Sequence, residues 1–104
     1  MNKELTPYKE ALVYFFGGAF NQDWDSDFND ADAVIIDFLN TTHAGLLLQL
    51  KYGITVLLNL PEDAIRKVIY DDNYCSYQPE ISEGKNLRDW LAKLLKLLDD
   101  KLSK

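Results

Sequence analysis

The chain has 104 residues, of which 47% are hydrophobic and 12% aromatic, and it carries a formal charge of -6. That length suits one domain able to bury roughly two thirds of the surface its unfolded chain exposes, and the apolar content excludes a disordered acidic tail. Direct binding to nucleic acid is also disfavoured: phosphates need clustered Lys and Arg, whereas the 11 basic residues here are scattered, so the balance favours a basic partner.

In chain order, Thr6-Pro7 reads as a helix start, with Tyr8, Leu12, Phe15, Phe16 and Ala19 at helical spacing and Gly17-Gly18 loosening the far end, giving a helix over about residues 7–20. The stretch NQDWDSDFNDAD, residues 21–32, reads as a loop that sets Asp23, Asp25, Asp27, Asp30 and Asp32 around Trp24 and Phe28 without one basic side chain. Asp30 and Asp32 suit the positive end of a second helix whose stripe is Ala31, Val34, Ile35, Phe38 and Leu39. Thr41 or Thr42 would cap a third, HAGLLLQLKYGITVLLNL, apolar nearly all round as befits a helix surrounded by the others. Pro61 places a fourth helix through Tyr70, and residues 71–85 read as loop. Asn86 and Asp89 cap the last, on which Leu87, Trp90, Leu91, Leu94, Leu95, Leu98 and Leu102 face the core while Arg88, Lys93, Lys96 and Asp100 stay wet.

The expected fold is therefore all-α: residues 1–104 as one domain, a compact bundle of about five helices around a central apolar helix. A competing reading makes strands of the β-branched runs AVIID and ITVLL, but few alternating runs remain to complete a sheet. The apolar run 43–60 contains Gln49, Lys51 and Asn59 and falls short of the ~20 residues that span a bilayer. The opening MNKELTPYKEAL lacks the apolar core of a signal peptide, and the lone Cys75 has no partner for an internal disulfide. Both features point to the cytoplasm.

The aspartates invite comparison with a calcium loop, since Asp23, Asp25 and Asp27 fall at positions 1, 3 and 5 of an EF-hand. Phe28 then replaces the glycine of the turn and Val34 the closing glutamate. The sole histidine, His43, lies at a helix start; no zinc spacing and no glycine-rich phosphate loop is present. The residues thus indicate no catalytic group, no metal and no cofactor. Two surfaces stand out: the aspartates, as a solvated loop or a charged interface, and Tyr70, Tyr74 and Tyr77 beside Asp71, Asp72 and Glu80, as a recognition patch or as loop packing. Trp24 reads as a core anchor beneath the acidic loop.

FFGGAFNQDWD, residues 15–25, resembles the signature of the CdiI-type immunity proteins of contact-dependent growth inhibition, in which an aromatic precedes a His-Gln-Asp-Trp-like run. Asn21 stands where relatives often have His. The later NYCSYQPEISEGKNLRDWL is similar to that family's closing pattern of a tyrosine, a proline-bearing loop and a helix with Trp-Leu. The resemblance implies a small, non-enzymatic cytoplasmic protein that binds the C-terminal toxin domain of its cognate effector, typically a nuclease with a basic cleft, as a monomer in a 1:1 complex. Asp23, Asp25, Asp27, Asp71, Asp72, Tyr74 and Tyr77 are then the candidate toxin contacts, with Gln22, Trp24 and Trp90 as structural signature residues. The alternatives are a carboxylate-based metal-binding or hydrolytic protein and a general acidic adaptor.

Overall fold

The computed structural model describes residues 3–103, which fold as seven helical elements with no strand among them. Helix α1, residues 3–19, opens as a 3-10 helix over Lys3–Tyr8, continues as α-helix over Lys9–Leu12 and widens to a π-helix over Val13–Ala19. It starts ahead of Thr6-Pro7, which lie inside the 3-10 turns, because Leu5 is buried and these residues pack on the third long helix. At the far end Phe20 N–H bonds Phe15 C=O at 3.3 Å, five residues back. That wider turn brings Phe15 and Phe20 into line, and both are buried with Phe16.

Helix α2, Trp24–Asp27, is a single turn within the acidic stretch, which is therefore not all loop. Helix α3, Ala31–Thr41, begins as the sequence indicates, with the Asp30 carboxylate accepting the Ala33 N–H at 2.8 Å. Helix α4, Ala44–Leu57, is capped by neither threonine: His43 Nδ1 accepts the Leu46 N–H at 3.2 Å. Thr41 is still within α3, where its hydroxyl donates to Asp37 C=O, and Thr42 ends that helix. Helix α5, residues 62–72, follows Pro61 and is α-helical over Glu62–Arg66 and π-helical over Lys67–Asp72. Helix α6, Pro79–Ser82, forms within residues 71–85, so that segment is not all loop. Helix α7, Leu87–Leu102, starts where Asn86 accepts the Asp89 N–H at 2.7 Å.

Helix α4 packs on α1 and α7, α5 and α6 pack on α7, and α3 packs on the π-helical end of α1. The molecule measures 32 × 31 × 20 Å, and 20 Å is about the thickness of two helices 10–12 Å in diameter. Helix α4 is central but not surrounded: Leu46, Leu47, Leu50, Ile54 and Leu57 face inward while Leu48 and Tyr52 stay exposed. Gly53 lets α1 close on α4, since a Cβ there would meet Tyr8 and Leu12 at 3.1 and 3.2 Å.

Polar links tie the long helices end to end. Arg88, expected in water, donates to the Leu58 and Leu60 carbonyls just past α4, and Glu62 accepts the Leu87 N–H at 2.7 Å in the first turn of α7. Lys51 pairs with Asp99 at 2.8 Å across α4 and α7.

The centre of the core is aromatic. Trp90, 1% exposed, lies within 5.9–6.4 Å of the rings of Phe15, Phe16, Phe20 and Tyr77. Its indole N–H has no hydrogen-bond partner among the described residues, a cost of about 1–3 kcal/mol set against the burial of a large apolar ring. Trp24 reaches this cluster from the edge, half-buried, with its ring T-shaped to Phe20 and Tyr77 at 5.7 and 5.4 Å. Both tryptophans stabilise the fold, but unequally. Trp90→Ala is expected to cost ~3–5 kcal/mol in urea unfolding, and Trp24→Ala only ~1–3 kcal/mol because part of its ring already meets water.

Candidate functional site

The acidic stretch is shaped by Asn21. Its side-chain amide donates to Gly18 C=O at 2.8 Å, its Oδ1 accepts the Asp23 N–H at 2.8 Å, and its own C=O accepts the Trp24 N–H at 3.1 Å. An amide side chain folded back on nearby backbone is a standard way to close a turn. The single turn of α2 then sorts the three aspartates. Asp23 and Asp27, four residues apart, fall on one side, and Asp25 falls on the other.

Asp23 and Asp27 line a cleft of about 650 Å³ together with Gly17, Asn21, Gln22, Tyr74 and Ser76. The two walls come from segments some fifty residues apart in the chain. They are joined by a hydrogen bond from Ser76 N–H to Phe20 C=O at 2.9 Å and by close approach of the π-helical end of α1 to the end of α5. At Gly17 a Cβ would lie 2.6 Å from the Asn73 carbonyl oxygen, so only glycine allows this contact.

The far wall is an extended segment after α5. Asn73, 3% exposed, closes α5 by sending both its backbone N–H and its side-chain amide to Val68 C=O, at 3.1 and 2.7 Å. From there side chains alternate, with Cys75 and Tyr77 inward and Tyr74 and Ser76 outward. Burial pushes the Cys75 thiol up to about 12, so it stays protonated, and Sγ donates to Tyr77 C=O at 3.4 Å. Tyr77 is stacked on Phe20 at 5.2 Å and only 6% exposed; burial raises its hydroxyl's pKa, and Glu83 accepts its proton in a hydrogen bond. Behind it Arg66 pairs with Glu80 at 2.7 Å, which holds the Glu80 carboxyl below the usual range, and Tyr70 donates to the same carboxylate.

Of the seven candidate contacts, the structure thus gathers Asp23, Asp27 and Tyr74 at one cleft. Asp25 is exposed nearby, while Asp71 and Asp72 lie outside the cleft lining, Asp72 paired with Lys67 at 3.2 Å. Tyr77 is a core ring rather than a surface group. Trp90 is buried at the centre of the aromatic core and Trp24 packs at its edge, whereas Gln22 is exposed on the cleft with no hydrogen bond among the described residues. Gly17, Asn21 and Ser76 join the site only through the fold.

The charge around the cleft is uncompensated. Lys51, Arg66, Lys67, Lys85 and Lys93 are spent on ion pairs elsewhere, Lys93 bridging Asp32 and Glu83, whereas Asp23, Asp25 and Asp27 have no ion pair among the described residues. Among these residues no group of three or more His, Cys, Asp or Glu side chains is placed to hold a metal, and no helix is long and apolar enough to cross a membrane.

A family model described as CdiI immunity protein matches residues 8–98, so the chain belongs to that family. Among solved structures it is similar to a chain in the crystal structure of the CdiA-CT/CdiI complex from Y. kristensenii 33638: the two are 29% identical, the match covers 88% of this chain and 98% of that one, and the TM-score is 0.79. No curated protein matches it in sequence.

The neighbouring glycines separate close approach from simple helix propensity. Gly17→Ala should lower stability by about 1–3 kcal/mol, because backbone, not a flexible side chain, blocks the new methyl group. Gly18→Ala, whose Cβ would meet only Val13 C=O at 3.8 Å, should leave stability unchanged or raise it by up to about 1 kcal/mol. Paired urea titrations check both.

Proposed function

We propose that this CdiI-family chain neutralises a CdiA-CT-type toxin domain by stoichiometric binding, one monomer to one toxin, in the cytoplasm and without chemistry or cofactor of its own. The observation that carries this is the family match over most of the chain. The unpaired aspartates extend it. Asp23, Asp25 and Asp27 present negative charge on the loop beside the cleft, which suits a toxin with a basic, phosphate-binding face, and a nuclease has such a face. The contact set of this proposal is Asp23, Asp25 and Asp27 at the loop and Tyr74 on the opposite wall; Asp71 and Asp72, at the end of α5, form its outer rim.

Co-purification of the chain with the C-terminal domain encoded beside its own gene, and protection of cells producing that domain, tests the reading directly. A chain that neither binds the domain nor protects would return attention to the carboxylate-site and acidic-adaptor readings. Within the complex, the Asp23→Asn, Asp25→Asn, Asp27→Asn triple variant should keep its unfolding midpoint, because it removes like-charge repulsion and breaks no buried group. Association should slow by about tenfold or more at low salt, and the difference should shrink as ionic strength rises, since exposed rim charges act by steering encounter. Equal association rates at low salt would show that the three carboxylates only solvate the loop.

A further inference from the structure

Tyr74 has a positive φ of 56°, which no other described non-glycine residue shares. It is the first residue past the Asn73 cap of α5, where chains commonly adopt the left-handed conformation and place glycine, or sometimes asparagine, to do so without steric cost. A bulky aromatic residue there is an outlier that costs stability. Its surroundings enforce the conformation: Asn73 is fixed to Val68 C=O on one side, and on the other Cys75 N–H returns to Ile69 C=O at 3.1 Å and Ser76 N–H reaches Phe20 C=O. Packing returns nothing for this strain. The side chain is 77% exposed and has no hydrogen bond or ring contact among the described residues.

A strained position held by its neighbours is most simply explained by what it presents. The geometry points to Tyr74 as the aromatic anchor of the toxin interface, fixed in place before binding, that takes a long cationic side chain of the toxin. The apolar stem of that side chain would lie on the ring and its charge beside Asp23 and Asp27, which line the same cleft. This step rests on the immunity reading above. A lysine or arginine fits the cleft because ring face, carboxylates and the polar Asn21, Gln22 and Ser76 meet there while the chain's own paired cations lie elsewhere. With its backbone already held, Tyr74 binds with only side-chain rotamer freedom to lose.

The test uses the full chain and the C-terminal toxin domain encoded beside its gene. Melting temperature and binding kinetics are measured for the wild type, Tyr74→Gly, Tyr74→Phe and Tyr74→Leu. Tyr74→Gly should melt about 2–6 °C higher because the left-handed conformation suits glycine. It should also bind at least about thirtyfold more weakly, mainly through faster dissociation. Tyr74→Phe should stay within about threefold of wild type, and Tyr74→Leu, apolar but without a ring face, should bind about tenfold more weakly. A Tyr74→Gly variant that melts lower, or that binds as tightly as wild type, overturns the anchor. A Tyr74→Leu variant equal to Tyr74→Phe overturns the cationic partner. A wild-type chain that does not bind the domain overturns the immunity reading and the anchor with it, whereas wild-type binding with an indifferent Tyr74→Gly overturns the anchor alone.

Discussion

Trp90 sits on α7 with its indole enclosed by Phe15, Phe16, Phe20 and Tyr77, and those rings belong to the two segments that build the cleft. Phe20 ends α1 and precedes the acidic stretch; Tyr77 follows Tyr74 and Ser76. Trp24 closes the set by packing its ring against both Phe20 and Tyr77. Edge-to-face and stacked ring pairs contribute about 0.5–1.5 kcal/mol each beyond area burial, and here they also fix direction. With Phe20 and Tyr77 clamped, the exposed groups between them, Gln22 and Asp23 on one wall and Tyr74 and Ser76 on the other, have fixed positions without bonding to one another.

The backbone repeats this arrangement in polar form. Both α1 and α5 end in π turns, each closed by a hydrogen bond to the carbonyl five residues back, and the two ends meet at Gly17 and Asn73. Single π turns inside helices often mark functional sites, where the extra residue redirects the chain. At the end of α1 the wide turn aligns Phe15 with Phe20. At the end of α5 it delivers Asn73 to its cap and leaves Tyr74 facing out. The same two turns therefore serve core and cleft, which is why Gly17, which carries no side chain, bears on the site's shape.

What could be read from the sequence was local. The stripes of α3 and α7 and the caps at Asp30 and Asn86 depend on residues within one or two turns, and each formed where its spacing indicated. The start of α1 was missed because Leu5 is held by α4, not by its neighbours in sequence. Arg88 looked solvated because the carbonyls it meets lie 28 and 30 residues away. Helix α6 is one turn long and has no stripe to detect, although Pro79 at its first position was a signal of the kind used at Pro61. At the site, the acidic cluster singled out Asp23, Asp25 and Asp27 alike, and proximity to acids singled out Tyr74. That Asp23, Asp27 and Tyr74 share one cleft, without Asp25, depends on the pairing of residue 20 with residue 76, which no local pattern encodes. Tyr77 was misplaced for a related reason: tyrosine suits an interface or a core equally, and only the inward and outward alternation after Asn73 decides.

Under the immunity reading, the cleft divides the work of binding between two kinds of group. Exposed carboxylates act over about a Debye length, roughly 8 Å at physiological salt, so Asp23, Asp25 and Asp27 raise the rate of encounter, and Asp23 and Asp27 also face the cation that the Tyr74 ring takes. An aromatic side chain acts only on contact, and its contribution appears in the lifetime of the complex. Placing the two on opposite walls lets either be altered without displacing the other, because Asp23 and Asp27 depend on Asn21 and the Trp24 anchor while Tyr74 depends on Asn73. A chain that must recognise one toxin among related ones gains from that separation: changes at α2 would retune steering, changes at residue 74 would retune the contact, and the aromatic core joining them would stay as it is.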